Sequence, residues 1–176
     1  MDYTSVYHSP LGAIMLACDG HALTGLWFYG QAHFAASLDI IHREEPHPVL
    51  TETAKLLDRY FAGERLYVRP PLHLRGTMFQ RSVWMMLQTI PYGETVTYGD
   101  LAYSLSPTVS PQAIGNALAR NPISIIIPCH RVIAAGGSLS GYAGGPRRKE
   151  LLLALEHGED ISACAHEWAD SGQATP

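Results

Sequence analysis

A cysteine followed at once by a histidine, in Pro128-Cys129-His130-Arg131-Val132, is where this chain's residue types and order could make a nucleophile. A thiol reacts as its thiolate, so it needs a base and a positive field, and its two neighbours could supply both. The apolar run Ile123-Ser124-Ile125-Ile126-Ile127 before it predicts a buried strand, and Gly136-Gly137 after it predicts a turn. The end of a strand would hold Cys129 rigidly. Successive strand residues point to opposite faces, so His130 then reaches Cys129 only if the backbone turns or a water bridges them. Glu156 is the third candidate, at the end of the helical stretch Leu153-Ala154-Leu155-Glu156-His157-Gly158. A carboxylate there opposes the helix dipole and needs a compensating partner, such as an imidazole that it orients.

The elements that must position these groups can be read from periodicity. Residues 4–8, 13–18 and 23–29 are β-branched or aromatic segments separated by Ser9-Pro10-Leu11-Gly12 and Asp19-Gly20, which predicts an antiparallel sheet. Residues 49–61 carry Leu56, Leu57, Tyr60 and Phe61 at helical spacing and stop at Gly63. A Pro- and Arg-bearing connection reaches Gly76. Thr77 and Gln80 then form a capping box ahead of a stripe made by Phe79, Val83, Met86, Leu87 and Ile90. Pro91-Tyr92-Gly93 breaks that helix. Thr97, with Asp100 three residues on, starts another over residues 98–104. Ser110 is an N-cap with Pro111 at the first helical position, and this helix runs to Arg120 before Asn121-Pro122.

Two short helices so joined have the spacing of a helix-turn-helix. On the second, Ile114 and Leu118 share one face, while Gln112, Gly115, Asn116 and Ala119 leave the other side small and polar. Such a surface suits close approach to a phosphate backbone, and it equally suits a core helix packed on a neighbour. The expected fold is α+β. Residues 1–76 form an N-terminal sheet-plus-helix domain with connector, 77–158 a mostly helical domain with the helix-turn-helix and the cysteine, and 159–176 a polar tail.

At 176 residues and 47% apolar, the chain can bury a substantial core. Its apolar runs fall short of a membrane span, and Met1-Asp2-Tyr3-Thr4 lacks a basic region ahead of an apolar one, so a cytoplasmic protein, or a nuclear one in a eukaryote, is expected. Cys18, Cys129 and Cys164 are widely spaced and odd in number, which points to reduced thiols. No paired Cys or Cys/His signature of a zinc site is present, so neither a metal nor any other cofactor is expected. His33, His42 and His47 are expected on the surface. The net charge is −4, yet residues 101–149 contain no Asp or Glu and carry Arg120, Arg131, Arg147, Arg148 and Lys149. A basic face around Cys129 on an acidic molecule would fit a polyanion; scatter over a solvated surface is the plainer alternative.

These residues also resemble a known family. Ile90-Pro91-Tyr92-Gly93, Tyr98, Gln112-Ala113-Ile114-Gly115-Asn116, Asn121-Pro122, Pro128-Cys129-His130-Arg131-Val132, Gly141-Tyr142-Ala143-Gly144-Gly145 and Lys149-Glu150 occur in the order found in the O6-alkylguanine-DNA alkyltransferases, also called methylated-DNA–protein-cysteine methyltransferases. The match runs from about Thr77 to Gly158. The N-terminal part resembles that family's variable sheet domain only in general character. The resemblance implies that Cys129 takes an alkyl group from O6 of guanine in double-stranded DNA, once per molecule, acting as a monomer. It implies a water relay from Cys129 to His130, with Glu156 orienting the imidazole. Tyr98 is implied as the proton donor to the guanine ring and Asn121 as the tie between the recognition helix and the cysteine segment. Thr97, Ser110, Gln112, Ala113, Asn116 and Arg120 are implied at the DNA surface, and Leu118, Val132, Tyr142 and Ala143 around the extruded base. Gln112 departs from the family, which commonly has an arginine there to fill the gap left by the flipped nucleotide.

Two other functions compete. A lesion-binding or signalling module could use the same helix without transfer, although it would need neither Cys129 nor Glu156. A cysteine hydrolase could use Cys129, His130 and Glu156 on a small carbonyl substrate, and many turnovers per chain would mark it.

Overall fold

Strand formation starts where the sequence alternates. In the computed structural model, which describes residues 1–169, β1 (Asp2–Ser9), β2 (Gly12–Cys18) and β3 (Leu23–Phe28) pair antiparallel in sequence order. The first turn is closed by Ser9, whose hydroxyl donates to Gly12 O at 2.6 Å and accepts from Leu11 N at 3.1 Å. The second is an Asx-turn in which the Asp19 carboxylate accepts from the backbone of His21 and Ala22.

The sheet is not wholly antiparallel as expected. β4 (His42–Glu44) joins it parallel to β1, giving the order β3-β2-β1-β4. Its three residues are polar and exposed, so no apolar alternation marks them. The opposite edge, β3, is buried along its whole length because two distant segments close it. Leu23 N donates to Pro71 O and His73 N to Leu23 O, while Leu26 N donates to Pro122 O and Ser124 N to Leu26 O. That covers the unpaired backbone groups an edge strand otherwise offers.

Helix α1 (Pro48–Phe61) is capped by His47, whose Nδ1 accepts from Val49 N, and it buries Leu50, Thr53, Leu57 and Tyr60. His47 is thus half-buried, while His33 and His42 are exposed. Both bonds of the Thr77/Gln80 capping box open α2 (Met78–Leu87), which ends three residues before Ile90. Phe79, expected on its apolar stripe, is instead 38% exposed. A second capping box, Thr97/Asp100, opens α3 (Tyr98–Leu105) directly after the two-residue β5 (Val96–Thr97). Ser110 caps α4 (Pro111–Ala119) by accepting from Ala113 N at 3.1 Å, and the helix stops one residue before Arg120. Trp84 of α2 donates to Ala117 O of α4 at 2.8 Å, which fixes α4 against the core.

The strand expected over residues 123–127 does not form. Ile126 N donates to Ser124 O and Ile125 lies at φ +68°, a γ-turn whose left-handed central residue is β-branched. Cys129 N donates to Ile127 O across Pro128 at φ −81° and ψ 65°, an inverse γ-turn. The run is apolar because it is buried except at the half-buried Ile126, not because it is extended. A single 3-10 turn over Cys129–Arg131 follows, and then β6 (Val132–Ile133), parallel to β5.

Helix α5 (Pro146–Glu156) is buried on most of its surface and carries Arg148 and Lys149 inward. The stretch expected to be a polar tail folds back as far as it is described. A 3-10 turn over Ser162–Cys164 and α6 (His166–Ala169) follow α5, with Glu167 bound to Arg147 and Trp168 against the Arg148 guanidinium. Residues 170–176 of that expected tail lie outside the described residues. Among the described residues no helix is long and apolar enough to cross a membrane.

Candidate active site

Two γ-turns and a 3-10 turn present Cys129 where a strand would not. Asn121, next to the C-cap of α4, holds these turns with one side chain. Its Oδ1 accepts from Ile123 N at 3.0 Å, and its Nδ2 donates to Ile127 O at 2.9 Å and to Cys129 Sγ at 3.1 Å. Because Ile123 N can only donate, the amide orientation is fixed. Burial pushes the Cys129 thiol up, while the Asn121 hydrogen bond and the Lys149 ammonium pull it back. Lys149 is itself 0% exposed; it donates to Val132 O and lies 5.7 Å from the Tyr98 ring centroid. Burial lowers its own affinity for a proton, and the nearby Cys129 opposes this.

His130 is 0% exposed, and its Nε2 lies 2.7 Å from Glu156 Oε1. The carboxylate accepts, so Nε2 carries the proton and Nδ1 presents a lone pair. Among the described residues Nδ1 has no hydrogen-bond partner, and no direct bond joins it to Cys129 even though the backbone turns here. Burial lowers the imidazole's proton affinity and Glu156 raises it, with a net lowering.

Glu156 receives more than the imidazole. Arg131 grips it as a fork, Nε to Oε2 at 2.8 Å and Nη2 to Oε1 at 3.0 Å, while Gly93 N donates to Oε2 at 3.1 Å. Tyr60, from α1, donates to Oε1 at 2.8 Å. Burial alone would push the carboxyl up; the bonds from His130 and Arg131 outweigh it and hold it well below the usual carboxylate range. These donors compensate the carboxylate for its place at the C-terminus of α5. Glycine is required at position 93, because its φ is +78° and a Cβ would stand 3.2 Å from Glu156 O.

The β5–β6 pairing brings Tyr98, at the start of α3, to the cysteine turn. The Tyr98 ring is half-buried, and burial raises its phenol. Leu118, Val132 and Tyr142 are buried nearby and Ala143 is half-buried. The Tyr142 hydroxyl is buried without a hydrogen-bond partner among the described residues, and its ring packs so closely on Gly144 that a Cβ there would sit 2.6 Å away. Ala143 O accepts from Ala32 N at 3.1 Å, so the N-terminal part supports this loop.

Gln112 and Asn116 on α4 and Arg120 at its C-cap recur every four residues and form one exposed stripe. Ser110 is exposed at its N-cap, Ala113 is half-buried beside it, and Thr97 is half-buried with its hydroxyl committed to Asp100. The candidates therefore divide between a buried cluster around Cys129 and an exposed helix stripe. Sequence reasoning missed Tyr60, the Arg131 grip on Glu156 and the buried Lys149. Tyr60 gave no signal, since it lies on an ordinary apolar helix stripe. A lysine at core spacing with Leu152 and Glu156 on α5 was the signal for Lys149.

Comparison with known proteins bears on both halves of the chain. Residues 78–158 match the family described as 6-O-methylguanine DNA methyltransferase, DNA binding domain, and residues 3–74 match its ribonuclease-like domain. A methylated-DNA–protein-cysteine methyltransferase of Methanosarcina acetivorans is 43% identical over 155 residues, covering 88% of this chain and 97% of the relative. One from Mycobacterium leprae is 44% identical over 148 residues, covering 84% and 88%. The crystal structure of Mycobacterium tuberculosis O6-methylguanine methyltransferase aligns with a TM-score of 0.80 at 40% identity, over 90% of this chain and 94% of that one. The crystal structure of Mycobacterium tuberculosis OGT in complex with DNA aligns at 0.81 and 39% identity, over 94% and 98%. Matched in both halves and at this identity over most of its length, the chain belongs to the methylated-DNA–protein-cysteine methyltransferase family.

Proposed function

We propose that this protein repairs DNA by moving an alkyl group from O6 of guanine in a duplex to Cys129 Sγ. The observation that carries the proposal is the line of contacts from Asn121 to Cys129 and from Glu156 to an imidazole with a lone pair to spare. The thiol proton passes through a bridging water to His130 Nδ1, and the charge that forms there is stabilised by Glu156. Sγ attacks the alkyl carbon in line, the S–C bond forms as the C–O6 bond breaks, and the electron pair stays on O6. The Tyr98 hydroxyl gives the guanine ring the proton it then takes up, and Tyr98 recovers one from the medium as His130 loses its own. A thioether has no leaving group that water readily displaces, so each molecule acts once.

The base must leave the stack to reach a cysteine that is 4% exposed, and Leu118, Val132, Tyr142 and Ala143 form the pocket that receives it. The Gln112–Asn116–Arg120 stripe, with Ser110, Ala113 and Thr97 at its start, lies along the DNA. The protein works as a monomer in the cytoplasm, without a cofactor. In place of the family's arginine, Gln112 fills the vacated site without charge. Gln112→Arg is expected to raise the repair rate on duplex substrate roughly tenfold, what one charge-assisted contact of about 1.5 kcal/mol provides. An unchanged single-turnover rate would refute this.

The decisive experiment mixes the protein with excess duplex containing O6-methylguanine and follows lesion loss together with protein mass. Repair adds one methyl group to the peptide holding Cys129 and stops after one equivalent, and Cys129→Ala abolishes both. Binding without a mass gain would establish a lesion-recognition module instead. Many turnovers would establish a hydrolase.

A further inference from the structure

Behind the cysteine turn lies a cavity of about 270 Å³ that neither the alkyl acceptor nor the DNA-facing stripe uses. Neither Cys129, Tyr98, Tyr142 nor any α4 residue lines it. It lies between α1, the connector, the end of α2 and the turn through Pro128, and its walls are mostly aliphatic and aromatic. Arg65, Arg69 and Arg131 line it, and no Asp or Glu does, on a chain of net charge −4. Aliphatic and aromatic walls combined with a few convergent charged groups are the usual form of a small-molecule site.

Its inner wall is chemically unfinished. A guanidinium has five N–H donors, and Arg131 uses three, two on Glu156 and one on Ile90 O at 2.7 Å. Its plane also lies over the Tyr92 ring, 5.7 Å from the centroid, and the exposed Arg65 lies 5.5 Å from the same centroid. Arg65 has no carboxylate partner among the described residues, and Arg69 is bound only to Gln88. Tyr60 and Arg131 both line the cavity and both hold Glu156.

We propose that this cavity binds a small oxyanion on a flat apolar body about one aromatic ring wide, its oxygens on Arg131 with Arg65 and Arg69 at the mouth. The shared chemistry covers an aromatic carboxylate and an aromatic phosphate monoester. The bound anion modulates alkyl transfer through Glu156. His130 is faced by Glu156 and Lys149 from α5, Arg131 from its own turn and Tyr60 from α1. Negative charge added beside Arg131 makes the imidazole hold its proton to higher pH, so the acid limb of the transfer rate moves up. Binding needs nothing from the alkyl-transfer proposal; only the rate effect rests on it.

The test titrates benzoate and phenyl phosphate into the full chain by calorimetry, with benzyl alcohol as the uncharged control. Saturable binding of either anion supports the site, and the tighter of the two identifies the source. The Arg65→Ser/Arg69→Ser double variant should weaken it about tenfold or more while transferring methyl at the unmodified rate. No saturation at millimolar probe, equal binding of benzyl alcohol, or unchanged binding by the double variant overturns the site. Binding that leaves the acid limb in place overturns the modulation. Absence of methyl transfer without any probe would count against the repair function alone, because calorimetry still reads the cavity.

Discussion

Glu156→Gln is expected to lower the single-turnover transfer rate by about 10²-fold or more and to destabilise the protein by about 3–5 kcal/mol. The side chain is fully buried, and Arg131, His130, Tyr60 and Gly93 all donate to it. An amide keeps one acceptor and turns the other into a donor that faces donors. It also strands the Arg131 cation, whose side chain is only 12% exposed. The sign of the pH effect follows from the depressed carboxyl. Wild-type stabilisation from this group is full above the unfolded carboxylate value of about 4.3 and is lost as pH falls toward the lower folded value. Acid unfolding followed by circular dichroism should therefore be steeper below about pH 4 for the wild type than for Glu156→Gln. Parallel acid limbs would show that the carboxylate is not held by these donors.

Asn121→Ala should cost about 2–4 kcal/mol and slow transfer about tenfold or more, for a different reason. The change removes one acceptor and two donated bonds, leaving Ile123 N buried without a partner, which costs about 1–3 kcal/mol, and Ile127 O with only the Cys129 N–H. It also releases the turn in which Ile125 sits at φ +68°, a strained conformation that persists only while its surroundings impose it. Sγ loses its hydrogen bond, so the thiol is pushed further up. Two measurements separate these effects: the denaturant midpoint reports the turn, and the pH dependence of thiol alkylation by a small reagent reports Sγ. A midpoint unchanged from wild type would remove Asn121 from the turn's support.

What could be read from the sequence was what short-range chemistry decides. Thr77 with Gln80, Thr97 with Asp100, and Ser110 with Pro111 announce three helix starts because a cap is satisfied within three residues. The first three strands were legible from alternation and turn residues. Residues 123–127 misled because β-branched residues favour a strand, whereas here Asn121 and two γ-turns, a tertiary arrangement, override that preference. β4 escaped because its partner, β1, rather than its own composition, makes it a strand. Cys129, His130 and Glu156 were visible as chemistry, and the family resemblance joined them into one site. Tyr60 was not visible, since a phenol that reaches Glu156 from 96 residues away looks locally like any core tyrosine.

The closure of β3 by residues 71–73 and 122–124 has a practical consequence for anyone dissecting the protein. Severed after the connector, the N-terminal fragment would keep residues 71–73 on β3 but lose residues 122–124, baring the strand's apolar edge at Leu26 to copies of itself, and would be expected to precipitate rather than fold. The remaining fragment would lose the template that shapes residues 122–124 ahead of Cys129. Neither piece is a removable accessory, and truncations meant to simplify this protein should be judged first by light scattering.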